Sequence, residues 1–230
     1  MSALISSRLK KRCEAMRGDA GISLVELLIV MILLSIFLTV VSSLYISSLN
    51  TVTMGRNVVG NSKQASNAMN EISRVVRSGV ELNTGTVGAE AAIVSASKEK
   101  IRLYTNINFT SNEQKPMMVE FERTSNGNLV ERQWKTRPAG ADGYWVVDST
   151  PSMTQVLAST LTGTEPNFTF YNKDGAAVNV TGLSGNDLKQ IVAVDVRITV
   201  KPSANDDRNP VTLQNLVRLP NLGFAKEKIS

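Results

Sequence analysis

The sequence predicts an α+β protein: a long amino-terminal helix, transmembrane in its first half, packed on an antiparallel β-sheet head. Three observations carry that prediction. Residues 22–45 are a run of 24 residues, 18 of them apolar. Ala65, Ala68, Met69, Ile72, Val75, Val76 and Val80 then recur at intervals of three and four, the period of a helix with one buried face. Beyond residue 83 the pattern changes to short alternating stretches separated by turn residues, which reads as strands.

Composition excludes several kinds of chemistry before any element is placed. The 230 residues are 42% apolar and 20% charged, which suits a folded chain. There is no histidine, and Cys13 is the single cysteine, so a histidine-based triad, a histidine metal site and an internal disulfide are all ruled out. The mean hydropathy is near zero only because a greasy block is averaged with a polar remainder.

The first element is a polar leader, residues 1–21. It carries Arg8, Lys10, Lys11, Arg12 and Arg17 against Glu14 and Asp19, a net charge of +3. By the positive-inside tendency the leader stays in the cytoplasm and the carboxyl part is exported. The apolar run that follows would form a helix of roughly 36 Å, enough for a hydrocarbon core of about 30 Å. A cleaved secretory signal needs a shorter run closed by a small-residue cleavage site, and no Ala-x-Ala pattern closes this one. A lipoprotein signal needs its cysteine at the end of the run, whereas Cys13 precedes it. An uncleaved anchor explains the length and the leader but not Glu26, because an acid inside a spanning helix costs roughly 2.5–3.5 kcal/mol on insertion scales.

Gly21-Ile22-Ser23-Leu24-Val25-Glu26-Leu27-Leu28-Ile29-Val30 resembles the cleavage and assembly motif of type IV pilin-like proteins. In that family a short basic leader ends in Gly, the mature chain begins with a hydrophobic residue, and Glu is the fifth mature residue. Counted from Ile22, Glu26 is fifth; Ile22 itself departs from the family's usual Phe. The resemblance implies cleavage between Gly21 and Ile22 by a membrane prepilin peptidase, and N-methylation of Ile22 by the same kind of enzyme. It also implies subunit assembly through Glu26, whose carboxylate would pair with the new cationic amino terminus of a neighbouring subunit, each charge offsetting the other's burial. Snorkelling of Glu26 to the interface is the plainer alternative.

Joined to the amphipathic segment, the apolar run makes a helix from residue 22 to about 82, roughly 90 Å long. Gly55 and Gly60 lie in its middle, where a bend, local melting or a flexible linker between two helices would be tolerated. Asn83-Thr84-Gly85-Thr86-Val87-Gly88 breaks it. The division expected is therefore residues 1–21 as prepilin leader, 22–82 as helix with 22–45 in the membrane or filament core, and 83–230 as a β-rich head.

Within the head, residues 100–106 are one candidate strand. Residues 117–123 and 129–135 flank Asn126-Gly127, and residues 168–171 and 176–180 flank Asn172-Lys173-Asp174-Gly175, two hairpin signals. Residues 191–201 alternate Val192, Val194, Val196, Ile198 and Val200 with polar or small residues, and residues 211–219 form the last strand. These lengths suit a single sheet-rich domain. Its size and late ribbon are similar to minor pilins of the W type and pseudopilins of the J type. Unlike many major pilins, it has no cysteine with which to close a disulfide after the leader is removed.

No constellation for catalysis stands out in the head. Asp206 and Asp207 with Asn205 and Asn209, and the turn from Asn172 to Gly175, have oxygen ligands without a calcium-loop spacing and read as solvated turns. Trp134, Tyr144 and Trp145 read as core aromatics in preference to an exposed binding patch. Removing the leader lowers the net charge from +5 to +2, which leaves no cluster of the kind that tracks phosphates. The Asn-x-Thr sequences at Asn108, Asn167 and Asn179 read as accidental.

The function expected is non-enzymatic: a structural, minor subunit of a type IV pilus or a type II secretion-like pseudopilus. It would be a single-pass cytoplasmic-membrane protein with an exported head, later part of an extracellular or periplasmic fibre. Its partners would be other pilin or pseudopilin subunits, a prepilin peptidase and N-methyltransferase, an inner-membrane assembly platform and membrane lipid, with no cofactor, no metal and no nucleic acid. The alternative is a monomeric membrane-anchored binding protein at the cell surface.

Overall fold

The computed structural model describes residues 22–85, 89–110, 113–139, 143–163, 166–183, 185–202 and 209–220. Gly21, the leader residues Arg8, Lys10, Lys11, Arg12 and Arg17, and Asn205, Asp206 and Asp207 lie outside them. The chain divides into two compact units, Met1–Thr53 and Met54–Ser230. One helix, α1 (Leu24–Arg77), supplies the described structure of the first unit and enters the second. It is unbroken at Gly55 and Gly60, so anchor and head helix are a single element.

In the second unit α1 buries Ala65, Ala68, Met69, Ile72, Val75 and Val76 as the spacing predicts, together with Asn61 and Ser73; Val80 lies past the helix end and is half-buried. The helix ends at Arg77, sooner than the expected 82, where the chain meets the first sheet. The Ser78 hydroxyl bonds the Arg74 and Val75 carbonyl oxygens at 3.0 and 2.9 Å and lies 2.5 Å from the Thr105 hydroxyl. From there the backbone joins the sheet: Val80 N–H donates to Tyr104 C=O at 3.0 Å and Asn106 N–H to Ser78 C=O at 3.1 Å. Gly79 occupies the corner because a Cβ there would meet Leu219 Cδ2 at 3.0 Å and the Val76 carbonyl at 3.1 Å.

Ten strands are found among the described residues: β1 (Ile93–Ala96), β2 (Lys100–Thr110), β3 (Glu113–Arg123), β4 (Leu129–Ala139), β5 (Tyr144–Val147), β6 (Met153–Ala158), β7 (Asn167–Tyr171), β8 (Ala177–Val178), β9 (Ala193–Val200) and β10 (Val211–Arg218). Instead of one sheet they make two. The first runs β1-β2-β3-β4, with β5 and β6 both paired to β4, and the second runs β10-β9-β7-β8. All pairs are antiparallel. The hairpin signal at Asn126-Gly127 joins β3 to β4, with Gly127 at φ 72° in the left-handed region that a tight turn requires.

The core joins α1 to both sheets. Ala68, Ile72 and Val76 belong to one buried cluster with Leu103, Val119 and Phe121 of the first sheet and Val194, Val196 and Ile198 of the second. Alternation along β9 puts Val194, Val196, Ile198 and Val200 inside, all fully buried, as the sequence pattern requires. On the opposite face of the first sheet a smaller cluster forms from Leu82, Tyr104, Met118 and Trp134, with Trp145 half-buried against it. Burial, followed by its hydrogen bond to Glu90 Oε2 at 2.9 Å, pushes the Tyr104 phenol well above its ordinary value.

Beside that cluster an ionic ladder crosses three strands. Arg102, Glu120 and Arg132 are cross-strand neighbours, and Glu120 is only 2% exposed. Its carboxylate meets Arg102 Nη2 at 2.5 Å, Arg132 Nη1 at 2.8 Å and Lys100 Nζ at 3.0 Å, and Arg132 also meets Glu122 at 2.5 Å. Burial alone would raise the Glu120 pKa, but the bonds from Lys100, Arg102 and Arg132 outweigh it and hold the carboxyl below its usual value. The folded-state pKa is thus the lower one, so the stabilisation is fully present above the unfolded carboxylate pKa of about 4.3 and is lost as pH falls through the folded value. Glu120→Gln should destabilise the head by roughly 2–3 kcal/mol at neutral pH, discounted because the cations stay partly exposed. In thermal melts of the micelle-held chain the gap from wild type should narrow as pH is lowered through the carboxylate range.

Candidate functional site: the exposed apolar helix

The feature of this molecule that calls for a function is the part of α1 that the chain itself leaves uncovered. Every described residue from 22 to 57 is exposed. These include large apolar side chains at successive positions, such as Leu33 at 60% and Phe37 at 63%. An amphipathic surface helix would confine such residues to one stripe; a helix apolar on all sides needs lipid or other helices around it. Between Glu26 and Arg56 there is no charged residue, and the helix is long and apolar enough to cross a membrane.

Several polar residues inside this stretch bond to their own helix. Ser35 Oγ donates to the Met31 carbonyl at 2.8 Å, Thr39 Oγ1 to the Ser35 carbonyl at 2.8 Å and Ser43 Oγ to the Val40 carbonyl at 2.8 Å. Thr51 and Thr53 repeat the pattern at 3.0 and 2.9 Å. A hydroxyl returned to its own helix presents little unsatisfied polarity to hydrocarbon, where such groups are expensive. With the backbone paired along the helix beyond its first turn, the uncharged stretch that follows Glu26 can leave water.

Ile22 and Glu26 lie at the start of this element, and both are exposed. Ile22 precedes the helix, and Ser23 accepts the first helical bond, from Leu27 N–H at 3.0 Å. Glu26 sits in the first turn, where unpaired N–H groups make the helix end electropositive and favour a carboxylate. No described side chain forms an ion pair with it. Ser23 is a residue that the sequence reading passed over. The spacing Ser23-Leu24-Val25-Glu26 is that of a capping box, S-x-x-E, and signals the helix start. Thus Glu26 has a local reason to occur at the helix end as well as the intersubunit one that the motif resemblance implies.

The other sites considered from sequence have their own placements. Trp134 is 7% exposed and lies beneath the Arg102 guanidinium, 5.2 Å from the ring centroid; Tyr144 and Trp145 are half-buried. Asn172 Oδ1 accepts from the backbone N–H of Asp174 and Ala176 at 3.0 and 2.9 Å, which commits that oxygen to its own turn. Among the described residues no group of three His, Cys, Asp or Glu is placed to hold a metal ion. A concavity of about 760 Å³ opens on the outer face of the second sheet. Its floor is the small Ala193, cross-strand from Arg218 and Tyr171. Asp195, on the same wall, accepts from Gln214 Nε2 at 2.7 Å.

Residues 16–42 match the family model described as the prokaryotic N-terminal methylation motif. The matched stretch covers the end of the leader, the Gly21-Ile22 junction, Glu26 and most of the apolar run. No curated protein matches the chain. The motif supports prepilin processing of the type IV pilin or pseudopilin kind and suggests a structural subunit, anchored in a membrane through its helix with the head exported. The α+β fold, one long amino-terminal apolar helix with antiparallel sheets, is pilin-like.

A charge in the middle of the uncovered surface tests the role of that surface. Leu34→Arg should oppose membrane insertion by about 2.5–3.5 kcal/mol. Fractionation with alkaline extraction should find a substantial part of the variant outside the membrane pellet, and the wild type within it.

Proposed function

We propose that this chain is a structural, minor subunit of a type IV pilus or of a type II secretion-like pseudopilus. The single observation that supports the reading best is the coincidence of a methylation motif over residues 16–42 with a helical stretch, residues 24–57, that is exposed at every position. A tether needs length and apolarity; it needs neither a scissile Gly nor an acid in the first turn.

In this reading residues 1–21 are the leader, α1 (Leu24–Arg77) is the assembly helix and the residues after it belong to the head. Arg8, Lys10, Lys11, Arg12 and Arg17 hold the leader in the cytoplasm. A prepilin peptidase cuts after Gly21, and the amine left on Ile22 is methylated and remains cationic. As the subunit leaves the bilayer for the fibre, lipid is exchanged for neighbouring helices, so the apolar surface stays covered throughout. Glu26 accepts the charged amino terminus of a neighbour, which sets axial register because an unpaired ion in such a core is costly. Other pilin or pseudopilin subunits, the peptidase with its methyltransferase activity and an inner-membrane assembly platform are the partners. A minor subunit would help initiate or cap the fibre without forming its bulk.

The rival reading is a monomeric surface binding protein tethered by the same helix, and the concavity over Ala193 is the feature that would favour it. Intact mass separates the two. The purified mature chain should begin at Ile22 with one added methyl group; a chain beginning at Met1 or Ser2 would favour the tether. A second measurement addresses assembly. Glu26→Ala should insert and be processed as the wild type is, yet be incorporated into sheared fibres roughly tenfold less, the effect of leaving about 1.4 kcal/mol of an ion pair unmade. Normal incorporation of that variant would remove the role assigned to Glu26.

A further inference from the structure

We propose that the exposed line of α1 formed by Arg56, Lys63, Asn70 and Arg77 is a docking surface for the acidic face of a different subunit of the fibre. The inference rests on the function proposed above and names the kind of neighbour that the head accepts.

The four residues are spaced seven apart, so they form one line along the helix with a rise of about 10.5 Å per step. All four are exposed, and Asn67 and Arg74 flank the line. Glu71 is the single acid on this part of the helix, and it is already held by Arg74, whose Nε donates to Glu71 Oε2 at 3.0 Å. Arg56, Lys63 and Arg77 form no ion pair with any described residue. Arg74 and Arg77 lie in the last turn, where cations offset the partial negative charge of the helix end. Arg56 and Lys63 are several turns earlier and gain nothing from that effect, so the continuation of the basic line needs another cause.

Beside the line the surface is indented. A cleft of about 410 Å³ lies between α1 and β10, lined by Asn70, Ser73, Arg74, Arg77, Ser78 and Asn215. Asn215 Nδ2 donates to Ser73 Oγ at 3.0 Å and holds the far wall, while the Arg77 guanidinium and the Asn70 amide are left as donors. A carboxylate carried into this cleft would meet a planar cation suited to bidentate contact.

A second copy cannot supply that carboxylate from the same face, since its basic line would meet an identical one and like charges would repel. Several acidic groups of this head are engaged within it: Glu120 and Glu122 in the ladder, Glu131 with Gln133 and Gln155, and Glu90 with Tyr104. None of the residues of the line or the cleft is aromatic, so nothing is in place to stack a nucleic-acid base. The chemistry fits a heterotypic protein neighbour with carboxylates at a similar spacing.

The test uses the full chain in cells that assemble the fibre, with a photo-crosslinking side chain at Asn67. Illumination should yield an adduct with another subunit of prepilin type, joined through an acidic stretch of its head. Combining Arg56→Glu, Lys63→Glu and Arg77→Glu should reduce that adduct by about tenfold or more, as expected for reversing three partly screened contacts. The neutral set Arg56→Gln, Lys63→Gln and Arg77→Gln should fall between, with helicity by circular dichroism kept in both. An adduct to a second copy, to nucleic acid or to lipid, or an adduct indifferent to charge reversal, would overturn the inference, as would no adduct from chains recovered in the fibre. Mature termini and fibre incorporation of the wild type are measured alongside. Wild type absent from fibres would defeat the proposed function and this inference together; wild type present but insensitive to reversal would defeat this inference alone.

Discussion

The constraint on which the rest depends is that half of one helix has no partner within its own chain. Burial of apolar area is worth roughly 25 cal/mol per Å², and the head collects that stabilisation over residues 61–76 of α1 while residues 22–53 collect none. A surface of this kind stays out of water only in lipid or among similar helices. The hydroxyls folded back along the helix and the absence of charge between Glu26 and Arg56 lower the cost of placing the segment in such surroundings.

The head solves a different problem. Without a disulfide it is held by a helix clasped by two sheets and by cross-strand interactions such as the Glu120 ladder. That ladder is placed where a carboxylate can be buried because three cations surround it, and it couples β2, β3 and β4 through one side chain. Glu131 shows the same principle with neutral partners. It is fully buried, and its two oxygens accept from Gln133 and Gln155 at 2.6 Å each. Burying such groups costs several kcal/mol unless every lone pair is met, so each constrains the register of its strand as well as its stability.

Much of this was legible in the residues because it is encoded locally. The uniform apolar run, the three-and-four spacing from Ala65 to Val76 and the alternation in β9 each follow from the period of a single element. Asn126-Gly127 marked its hairpin because only a few residues accept that turn. What escaped was non-local. β1, β5 and β6 are short and weakly patterned, and they exist as strands because β2 and β4 offer them edges. The division into two sheets depends on β7 choosing β9 and on β4 carrying both β5 and β6, which no single stretch announces. At the helix start the S-x-x-E spacing of Ser23 and Glu26 is a local signal carried by the sequence itself. The helix stopped at Arg77 because Ser78 and Thr105, distant in sequence, meet there.

Gly79 and the strand that closes over it determine the order in which this molecule can be completed. Leu219 packs against that corner, and Asn215 reaches Ser73 across 142 positions of sequence. A chain made from its amino end presents α1 before β10, so this corner closes only after the strands between them are present. Until then the inner face of the helix has only the part of its cover that the first sheet supplies. A long-range closure, made between parts of the chain far apart in sequence, is therefore written into the topology.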